Sequence, residues 1–400
     1  MFGPVGTESL PSDFTKVEWI LSMLTAEPEK ALRNAIVWLI SKQGESGQWQ
    51  SEHYGAMKQG AALTSLVIYA LSHVPVAIRQ QHSENIQQAF SFLQPGIQKR
   101  KRVGNPDGSL DNPVYSSAML LTAVQKLGRD DKALVRELAN FLIRSQVNEK
   151  RGFDRSDRNH GGWDVLGPDI KPGKTSGPNI SVTRFVLEAL TPLATVQEKG
   201  ADEGADAKPD GDAGAATFSL EKEAAAQLTR ALADVAVWVE TLCGISKDGG
   251  LRFSSQPKSA LNKARDKDSE PVSYGSATCD GLLSLHFLGK QKSTQFKEAM
   301  KWMLARPFAG GVPGFDASKS QQHWQRSLQF YYCQSFGSAL KLTDQNSKWT
   351  QGQRKALVEF IVGRQSPNGS FVNPSALMRE DDPVIATCFA IVALASLIES

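Results

Sequence analysis

The chain of 400 residues has an ordinary globular composition, with 40% hydrophobic and 22% charged residues. A net charge of +3 is too small to indicate a nucleic-acid partner, and the basic run at 99–102 is typical of a solvated loop. The four cysteines form no CxxC pair, so neither a zinc ribbon nor a redox motif is indicated. No signal-peptide pattern opens the chain, and the apolar run 383–398 is shorter than the roughly 20 residues of a membrane span. We therefore expect a cytoplasmic protein, with peripheral membrane contact as the alternative.

Three segments fall outside the repeated pattern. Residues 1–30 are predicted to be a lead-in arm with a short helix, and residues 31–400 to form the main domain. Within it, segment 197–217 is rich in Ala, Gly and Asp and is predicted to be a disordered insertion. Segment 254–271 is predicted to be a long loop.

Six segments of the main domain are apolar on nearly every side, as helices buried by their neighbours are. They read LTSLVIYAL (63–71), SSAMLLTAV (116–124), VTRFVLEAL (182–190), ATCDGLLSL (277–285), YCQSFGSAL (332–340) and ATCFAIVAL (386–394). Aligned on the last residue, all six have a small side chain at the second position. These residues are Thr64, Ser117, Thr183, Thr278, Cys333 and Thr387. The pattern predicts a repeated helix with one position kept small.

An amphipathic helix precedes each apolar segment and ends in a glycine-rich turn. Glycine supplies the positive φ that terminates a helix. A large apolar residue follows each turn and is predicted to fold back onto the helix pair as a plug. The predicted plugs are Trp49, Leu110, Trp163, Phe253, Phe315 and Phe371.

Six such pairs predict an all-α fold, an (α/α)6 toroid with an inner ring of apolar helices and an outer ring of amphipathic helices. A pair cannot bury its own inner helix, so neighbouring pairs must cover it. Neither end carries a polar capping repeat, which favours a closed ring over an open solenoid. We expect the small polar positions, among them Thr64, Thr183, Thr278 and Thr387, to point into the ring.

The turns in SKQGESGQW and GRQSPNGSF share the form Q-x-x-x-G-x-W/F. With six helix pairs, they resemble the prenyltransferase and squalene-cyclase repeat proteins. YGSATCDGLLSL and DDPVIATCFAIVALASL are similar to the single-toroid, squalene-cyclase-like proteins of bacterial genomes. The resemblance covers about residues 30–400. It implies a central cavity lined by the inner helices, functional groups near the starts of those helices, and an isoprenoid or lipid ligand for a terpenoid isomerase or transferase.

Cation-initiated cyclisation, the first chemistry that the resemblance implies, needs a buried acid that is held protonated. The family motif is Asp-x-Asp-Asp-Thr, and Thr387 matches its threonine. Ile385 and Ala386 stand where the aspartates should be, so the motif is absent in register. Asp381 and Asp382, one turn earlier, are candidate shifted acids. The alternative is that they cap the helix and complement its dipole.

Zinc-dependent prenylation is the second chemistry that the resemblance implies, and zinc would activate a thiolate there. Cys279 and Asp280 are adjacent, which is the wrong spacing, and no histidine precedes Thr387. A mixed site of His323, Cys333 and Asp280 is the remaining arrangement. Cysteine at these positions is more often a small core residue. We predict no metal and no cofactor.

Asp280 is the strongest candidate for a catalytic acid, because it interrupts an otherwise apolar inner helix. A buried charge is costly unless it is paired, so Asp280 should face the cavity or pair with Arg184. Tyr331 and Tyr332 are typical of core packing, with a cation-stabilising wall as the alternative. Tyr332 is kept among the candidate cavity residues.

Polar loops before the inner helices contain candidate site residues for the rim of the predicted cavity. His53 lies in SEHYGAMKQG, and His160 and Asp164 lie in FDRSDRNHGGWDVLGPD. Aspartates with a histidine can bind a metal or a sugar, or act as acid and base. The alternative is a long turn whose side chains satisfy their own backbone.

Three functions follow from these observations. The first is an isoprenoid enzyme or binder that uses the cavity. The second is a carbohydrate-active toroid with two carboxylates about 5–10 Å apart. The third is a non-catalytic scaffold whose rim loops bind a protein. The sequence contains no phosphate loop, Rossmann fingerprint or serine nucleophile elbow, so nucleotide enzymes and hydrolases of those kinds are disfavoured.

Overall fold

The structure, a computed structural model, describes residues 16–105, 112–202, 220–242, 246–256, 260–315 and 319–398. Over these ranges the chain is helical, and β pairing is limited to two isolated bridges. The α-helices are α1 Lys16–Ile40, α2 Ala61–Ser72, α3 Val76–Arg79, α4 Ser83–Arg100, α5 Pro113–Lys126, α6 Lys132–Arg144, α7 Ile180–Asp202, α8 Lys222–Val237, α9 Gly275–Phe287, α10 Thr294–Leu304, α11 Lys319–Ser327, α12 Gln329–Leu340, α13 Lys348–Val362 and α14 Pro383–Ile398.

The inner ring consists of α2, α5, α7, α9, α12 and α14, and each of these helices contacts the next one in chain order. The ring is closed, because α14 also contacts α2. The outer helices α4, α6, α8, α10 and α13 pack on α2, α5, α7, α9 and α12 respectively, and α1 packs on α14. Every described side chain of α2 is buried, as expected for a helix covered by its neighbours. The predicted (α/α)6 toroid is confirmed.

The Q-x-x-x-G turn joins neighbouring helix pairs. In the first copy Gln43 Nε2 donates to the backbone oxygen of Gly47 at 3.0 Å. The same amide donates to the backbone oxygen of Asn85, in the next outer helix, at 2.9 Å. One side chain therefore holds its own turn in shape and fastens that turn to the following pair.

The last turn closes the ring with the same contact. Gln365 Nε2 donates to the backbone oxygen of Gly369 at 3.0 Å and to that of Ala31 in α1 at 2.8 Å. Ala31 belongs to the first outer helix and Gln365 follows the last one. The two ends of the toroid thus meet through the interaction that joins its internal pairs.

The small polar side chains of the inner helices face the outer ring, and the expectation that they point into the ring was wrong. Each hydroxyl instead accepts a hydrogen bond from the backbone N–H of a residue that enters between the two rings. The pairs are Trp49 to Thr64 (3.0 Å), Val103 to Ser117 (3.1 Å), Trp163 to Thr183 (3.3 Å), Leu251 to Thr278 (3.1 Å) and Phe371 to Thr387 (2.9 Å). A buried N–H needs an acceptor, which explains why the position repeats.

These bonds also identify the plugs. Trp49, Trp163 and Phe371 are buried plugs as predicted. In the fourth copy the plug is Leu251 rather than Phe253. Phe315 is only half-buried, so it does not fill the corresponding position in the fifth copy. In the second copy Val103 takes the role, and the predicted plug Leu110 lies outside the described residues.

The three segments that were predicted to lie outside the repeated pattern are joined to the toroid wherever the structure describes them. Helix α1 begins at Lys16, inside the predicted lead-in arm, and continues without a break into the toroid. Helix α7 extends to Asp202, and positions 203–217 of the predicted insertion lie outside the described residues. The described residues of loop 254–271 are held by internal hydrogen bonds. Asn262 Nδ2 donates to the backbone oxygen of Gln256 at 2.9 Å, and the backbones of Arg265 and Pro271 form an isolated antiparallel β-bridge.

Replacement of Thr387 by valine should lower the free energy of unfolding by about 1–3 kcal/mol, because the buried N–H of Phe371 loses its acceptor. Thr387→Ser keeps the hydroxyl and uses the side chain that the second copy has at Ser117, so its loss should be smaller. Urea unfolding of both variants checks this. A Thr387→Val protein as stable as the parent would show that the hydrogen bond does not matter at this position.

Candidate functional site

The residues that face the axis lie two positions before and two positions after the small polar position. Two residues turn a helix by about 200°, so a side chain opposite the outer ring faces the centre. The layer nearer the helix starts consists of Ala62, Tyr115, Ser181, Ser276, Tyr331 and Ile385. The next layer consists of Leu66, Met119, Phe185, Asp280, Ser335 and Phe389.

These layers border a cavity of about 180 Å³ at the end of the ring where the inner helices begin. Its wall on α14 and α2 is mainly apolar and includes Phe389 and Leu66. Hydroxyls face it from α5, α7, α9 and α12, and loop residues complete its mouth. The volume is somewhat larger than the ~150 Å³ of an apolar cavity that binds benzene. The cavity can therefore enclose a small apolar group and place hydroxyls on one side of it.

A chain of hydroxyl groups leads from the cavity to Asp280. Tyr115 OH donates to Ser181 Oγ at 2.6 Å, and the Ser181 and Tyr331 hydroxyls are hydrogen-bonded to each other. Tyr331 OH donates to Asp280 Oδ2 at 2.8 Å, and Ser335 Oγ donates to Oδ1 at 2.9 Å. Because Tyr331 gives its only proton to Asp280, Ser181 must donate to Tyr331. All donors in the chain therefore point towards the carboxylate.

Asp280 is fully buried, and burial raises the pKa of its carboxyl to about 6. The nearby Arg184 charge and the hydrogen bonds from Tyr331 and Ser335 oppose this rise. Its pKa thus lies near neutrality, which suits a group that both holds and releases a proton. Asp280 does not itself line the cavity, because Tyr331 lies between the carboxylate and the open space.

Arg184 belongs to a second buried network, next to Asp280 along the axis. Its Nη1 lies 3.3 Å from Tyr69 OH and 3.5 Å from Glu188 Oε2, and its guanidinium lies 4.2 Å from the ring centre of Phe185. Glu188 also accepts from Tyr69 OH at 2.9 Å. Arg184 therefore pairs with Glu188, and the alternative in which it pairs with Asp280 is wrong. It acts on Asp280 only through its charge.

Asp381 and Asp382 were predicted as shifted catalytic acids, but they stabilise structure. Asp382 Oδ1 accepts from the backbone N–H of Val384 at 2.9 Å, which caps α14, and Oδ2 accepts from Ser51 Oγ at 2.5 Å. Asp381 accepts from Tyr54 OH. Neither carboxylate lines the cavity. The helix-capping alternative holds for Asp382 alone, because the start of α14 needs acceptors for its free N–H groups.

Glu380, beside them, caps the neighbouring inner helix. Its carboxylate accepts from the backbone N–H groups of Phe330 at 3.1 Å and Tyr331 at 2.9 Å. Burial raises its pKa to about 7, and these bonds oppose the rise. The start of α12, which carries the cavity residue Tyr331, is therefore fixed from the adjacent loop.

The rim residues His160 and Asp164 are also structural. Asp164 is fully buried, and Arg151 Nη2 and Thr175 Oγ1 bond to it at 3.2 and 2.5 Å. His160 Nε2 lies 3.1 Å from Glu149. Neither side chain lines the cavity, and both fold the loop onto itself. The alternative of a self-satisfied turn is the correct one here.

The remaining candidates do not assemble a site. His53 and His323 are exposed and do not line the cavity. Tyr332 faces the outer ring, where its ring stacks with Phe308 at 5.8 Å. In the described ranges no group of three or more His, Cys, Asp and Glu side chains could hold a metal, so His323, Cys333 and Asp280 form no common cluster.

Tyr115 and Ser181 were not predicted from the sequence, and Tyr331 was assigned to core packing. The predicted orientation of the inner helices was reversed, because the small polar position was taken to face the axis. Counting two residues back from Ser117, Thr183 and Cys333 gives these three side chains. The alignment contained the position of these residues relative to the small polar one. Only the hydrogen bonds of the small polar residues show that those residues face the outer ring and that the opposite face lines the axis.

The fold defines the class of the protein as an α/α toroid, and no family model matches the chain. A variant of the type II terpene cyclase MstE from Scytonema, in complex with geranylgeranyl dihydroxybenzoate, has a TM-score of 0.59 at 11% identity and covers 95% of this chain and 99% of its own. The GH76A alpha-1,6-mannanase from Salegentibacter sp. HEL1_6 has a TM-score of 0.53 at 12% identity and covers 92% and 98%. At these identities the likeness concerns the fold.

A shorter sequence match involves Thioester-containing protein 1 allele R1 from Anopheles gambiae. It is 30% identical over 161 residues, which is 38% of this chain. The match spans 10% of that protein's length. Separately, no helix in the described residues is both long and apolar enough to cross a membrane.

Proposed function

We propose that the axial cavity binds an apolar chain of the isoprenoid type and that the hydroxyl chain ending on Asp280 exchanges a proton with it. The observation that carries this proposal is the course of that chain. It connects a buried carboxyl group to a cavity whose opposite wall is apolar. A merely structural acid would not need hydroxyls that continue into open space.

The direction of the hydrogen bonds sets what each protonation state can do. With Asp280 ionised, Tyr115 donates into the chain, and its proton points away from the cavity. With Asp280 protonated, the carboxyl group donates to Tyr331, each following hydroxyl turns, and Tyr115 is free to donate to a ligand. A proton passed to a ligand double bond leaves a cation, which faces of rings such as Phe185 and Phe389 stabilise. A neighbouring ligand carbon then gives a proton to Tyr115, and the hydroxyl chain returns it to the ionised Asp280, which completes an isomerisation or cyclisation.

The composition of the cavity favours this function over a carbohydrate-active one. Glycoside hydrolysis generally uses two carboxylates about 5–10 Å apart. None of the described residues that line the cavity is Asp or Glu, and Asp280 reaches it only through Tyr331. The complex of the structurally similar terpene cyclase with geranylgeranyl dihydroxybenzoate supports an isoprenoid ligand in a toroid of this kind.

Isothermal titration with geraniol and with an alpha-1,6-mannose oligosaccharide tests the ligand class. We expect geraniol to bind and the oligosaccharide not to bind. Ala62→Leu extends a side chain into the cavity and should weaken geraniol binding about tenfold or more, since each buried CH2 group that is displaced is worth about 0.8 kcal/mol.

Lys42→Leu, an exposed position on the outer ring, serves as the control and should leave the affinity unchanged. Circular dichroism shows that each variant is folded. Oligosaccharide binding by the parent protein, or an Ala62→Leu affinity equal to that of the parent, would contradict the isoprenoid assignment.

A further inference from the structure

Two cationic side chains line the cavity and have no carboxylate partner among the described residues. Lys263 comes from the loop before α9 and Arg379 from the turn before α14. Neither forms an ion pair within the part of the chain that the structure describes. Both are next to an apolar interior, where a cation without a counter-ion is costly.

Lys263 is held over aromatic rings. Its Nζ lies 4.2 Å from the ring centre of Phe253 and 5.5 Å from that of Trp324, and it donates to the backbone oxygen of Leu261 at 3.4 Å. Burial lowers the pKa of the ammonium group to about 8. The rings and the carbonyl replace only part of the water that the ammonium group has lost, so an anion brought by a ligand would complete its environment.

Arg379 occupies a strained backbone position. Its φ of 64° lies in the left-handed region, which a residue with a long side chain seldom adopts. Arg379 follows the 3-10 turn Ala376–Met378, and a left-handed residue is a common way to end a helical turn. The turn places Arg379 on the cavity and leaves its guanidinium 5.4 Å from the ring centre of Tyr54, without a charged partner in the described chain.

The backbone dipoles of the inner helices also create a positive potential at this end of the toroid. Each inner helix follows an antiparallel outer helix, so all inner helices begin at the cavity end. The N-terminus of a helix carries a partial positive charge. The two side chains therefore lie where helix dipoles also favour an anion.

We propose that Lys263 and Arg379 bind the anionic head group, a carboxylate or a phosphate, of an amphiphile whose apolar tail occupies the cavity. The inference rests on the proposed function, because it takes the cavity as the place of the tail. It narrows the substrate class from apolar chains in general to acids with one apolar tail. The head group stays at the mouth, and the tail extends towards Tyr115 and Tyr331.

Titration calorimetry with ligands that share one tail tests the head-group site. Geraniol, geranic acid and geranyl phosphate differ only at the head group. At pH 7 we expect at least one of the two anions to bind about tenfold or more tightly than geraniol, since a hydrogen bond to a charged group is worth about 1.5–3 kcal/mol. Comparison of the acid with the phosphate identifies the chemistry of the head group.

The variant Lys263→Met with Arg379→Gln should lose this preference, so that the two anions bind no more tightly than geraniol. Lys267→Met, an exposed lysine of the same loop, is the matched control and should keep the preference. Equal binding of the acid, the phosphate and the alcohol, or a preference that survives in the double variant, overturns the head-group site alone. If none of the three ligands binds the parent protein, the cavity proposal falls, and the head-group site falls with it.

Discussion

Replacement of Asp280 by asparagine is expected to slow proton transfer to a bound isoprenoid by about 10²–10⁴-fold, the usual contribution of a general acid or base. Asparagine has the shape of the protonated carboxyl group and can still hydrogen-bond Tyr331 and Ser335. It has no proton to release in this range of pH. The affinity for an apolar ligand should therefore stay within about twofold of the parent value, and only the chemical step is lost.

Asp280→Asn should also be more stable than the parent protein at neutral and alkaline pH. The folded-state pKa of Asp280 is raised from 3.8 to about 6, so the folded protein holds this proton more tightly than the unfolded chain does. The stability that the proton supplies is fully present below about pH 4 and is lost as the pH rises through 6. Above this range the ionised carboxylate costs on the order of 3 kcal/mol, which the variant avoids. The gain should vanish near pH 4.

Two measurements test these expectations. Incubation with an isoprenoid in D2O, followed by mass spectrometry, detects deuterium that enters the ligand. Urea unfolding at pH 4.5 and pH 8 gives the pH-dependent difference in the free energy of unfolding. Asp382→Asn is the matched control, because it makes the same chemical change at a carboxylate that caps α14 away from the cavity. Equal deuterium incorporation in the parent and Asp280→Asn proteins would remove Asp280 from the mechanism.

The fold could be predicted from the sequence because the same physical problem recurs in every copy. Each inner helix is apolar nearly all round, and only neighbours on both sides can bury it. No single copy shows that the ring closes. Closure requires contacts between the first and the last helix pair, such as Gln365 with Ala31, and these residues lie at opposite ends of the described chain.

The site could be predicted only in part. Asp280 was found because a carboxylate in an apolar helix needs a partner, and that argument needs no structure. The wrong prediction of the direction in which the small polar side chains point has a different cause. Thr64, Thr183 and Thr278 are small and polar, which suits a cavity wall and equally suits an acceptor for a buried N–H. The alignment gives the period of the repeat but not the direction of any one face.

The repeat pattern could not predict which loop residues lie at the cavity. Lys263 occurs in a loop that lengthens one copy, so no alignment places it at the cavity. Arg379 follows the 3-10 turn Ala376–Met378, whose equivalent in the first copy, Gly55–Met57, is followed by Lys58 at a negative φ. Their position depends on how the loops fold back over the ring, through contacts such as Asn262 with Gln256. Arg379 in particular requires a positive φ that its residue type does not suggest.

Gly369→Ala tests ring closure and should lower the free energy of unfolding by about 2–4 kcal/mol. Gly369 has a φ of 93°, and a Cβ there would lie 2.5 Å from the backbone oxygen of Asn34 in α1. Backbone atoms cannot move aside as a flexible side chain would. The added methyl group must therefore strain the turn or push the last helix pair away from the first.

The internal copy Gly161→Ala provides the comparison. Its φ is 94°, and its Cβ would lie 2.5 Å from the backbone oxygen of Asp234, in the next outer helix. If the ring is closed, both substitutions should cost the same in urea unfolding. Gly352→Ala in α13 meets no atom within 4 Å and should stabilise the protein by about 0.5–1 kcal/mol. A small loss for Gly369→Ala beside a large loss for Gly161→Ala would mean that the ends separate in solution. In that case the cavity would have a side entrance between α14 and α2.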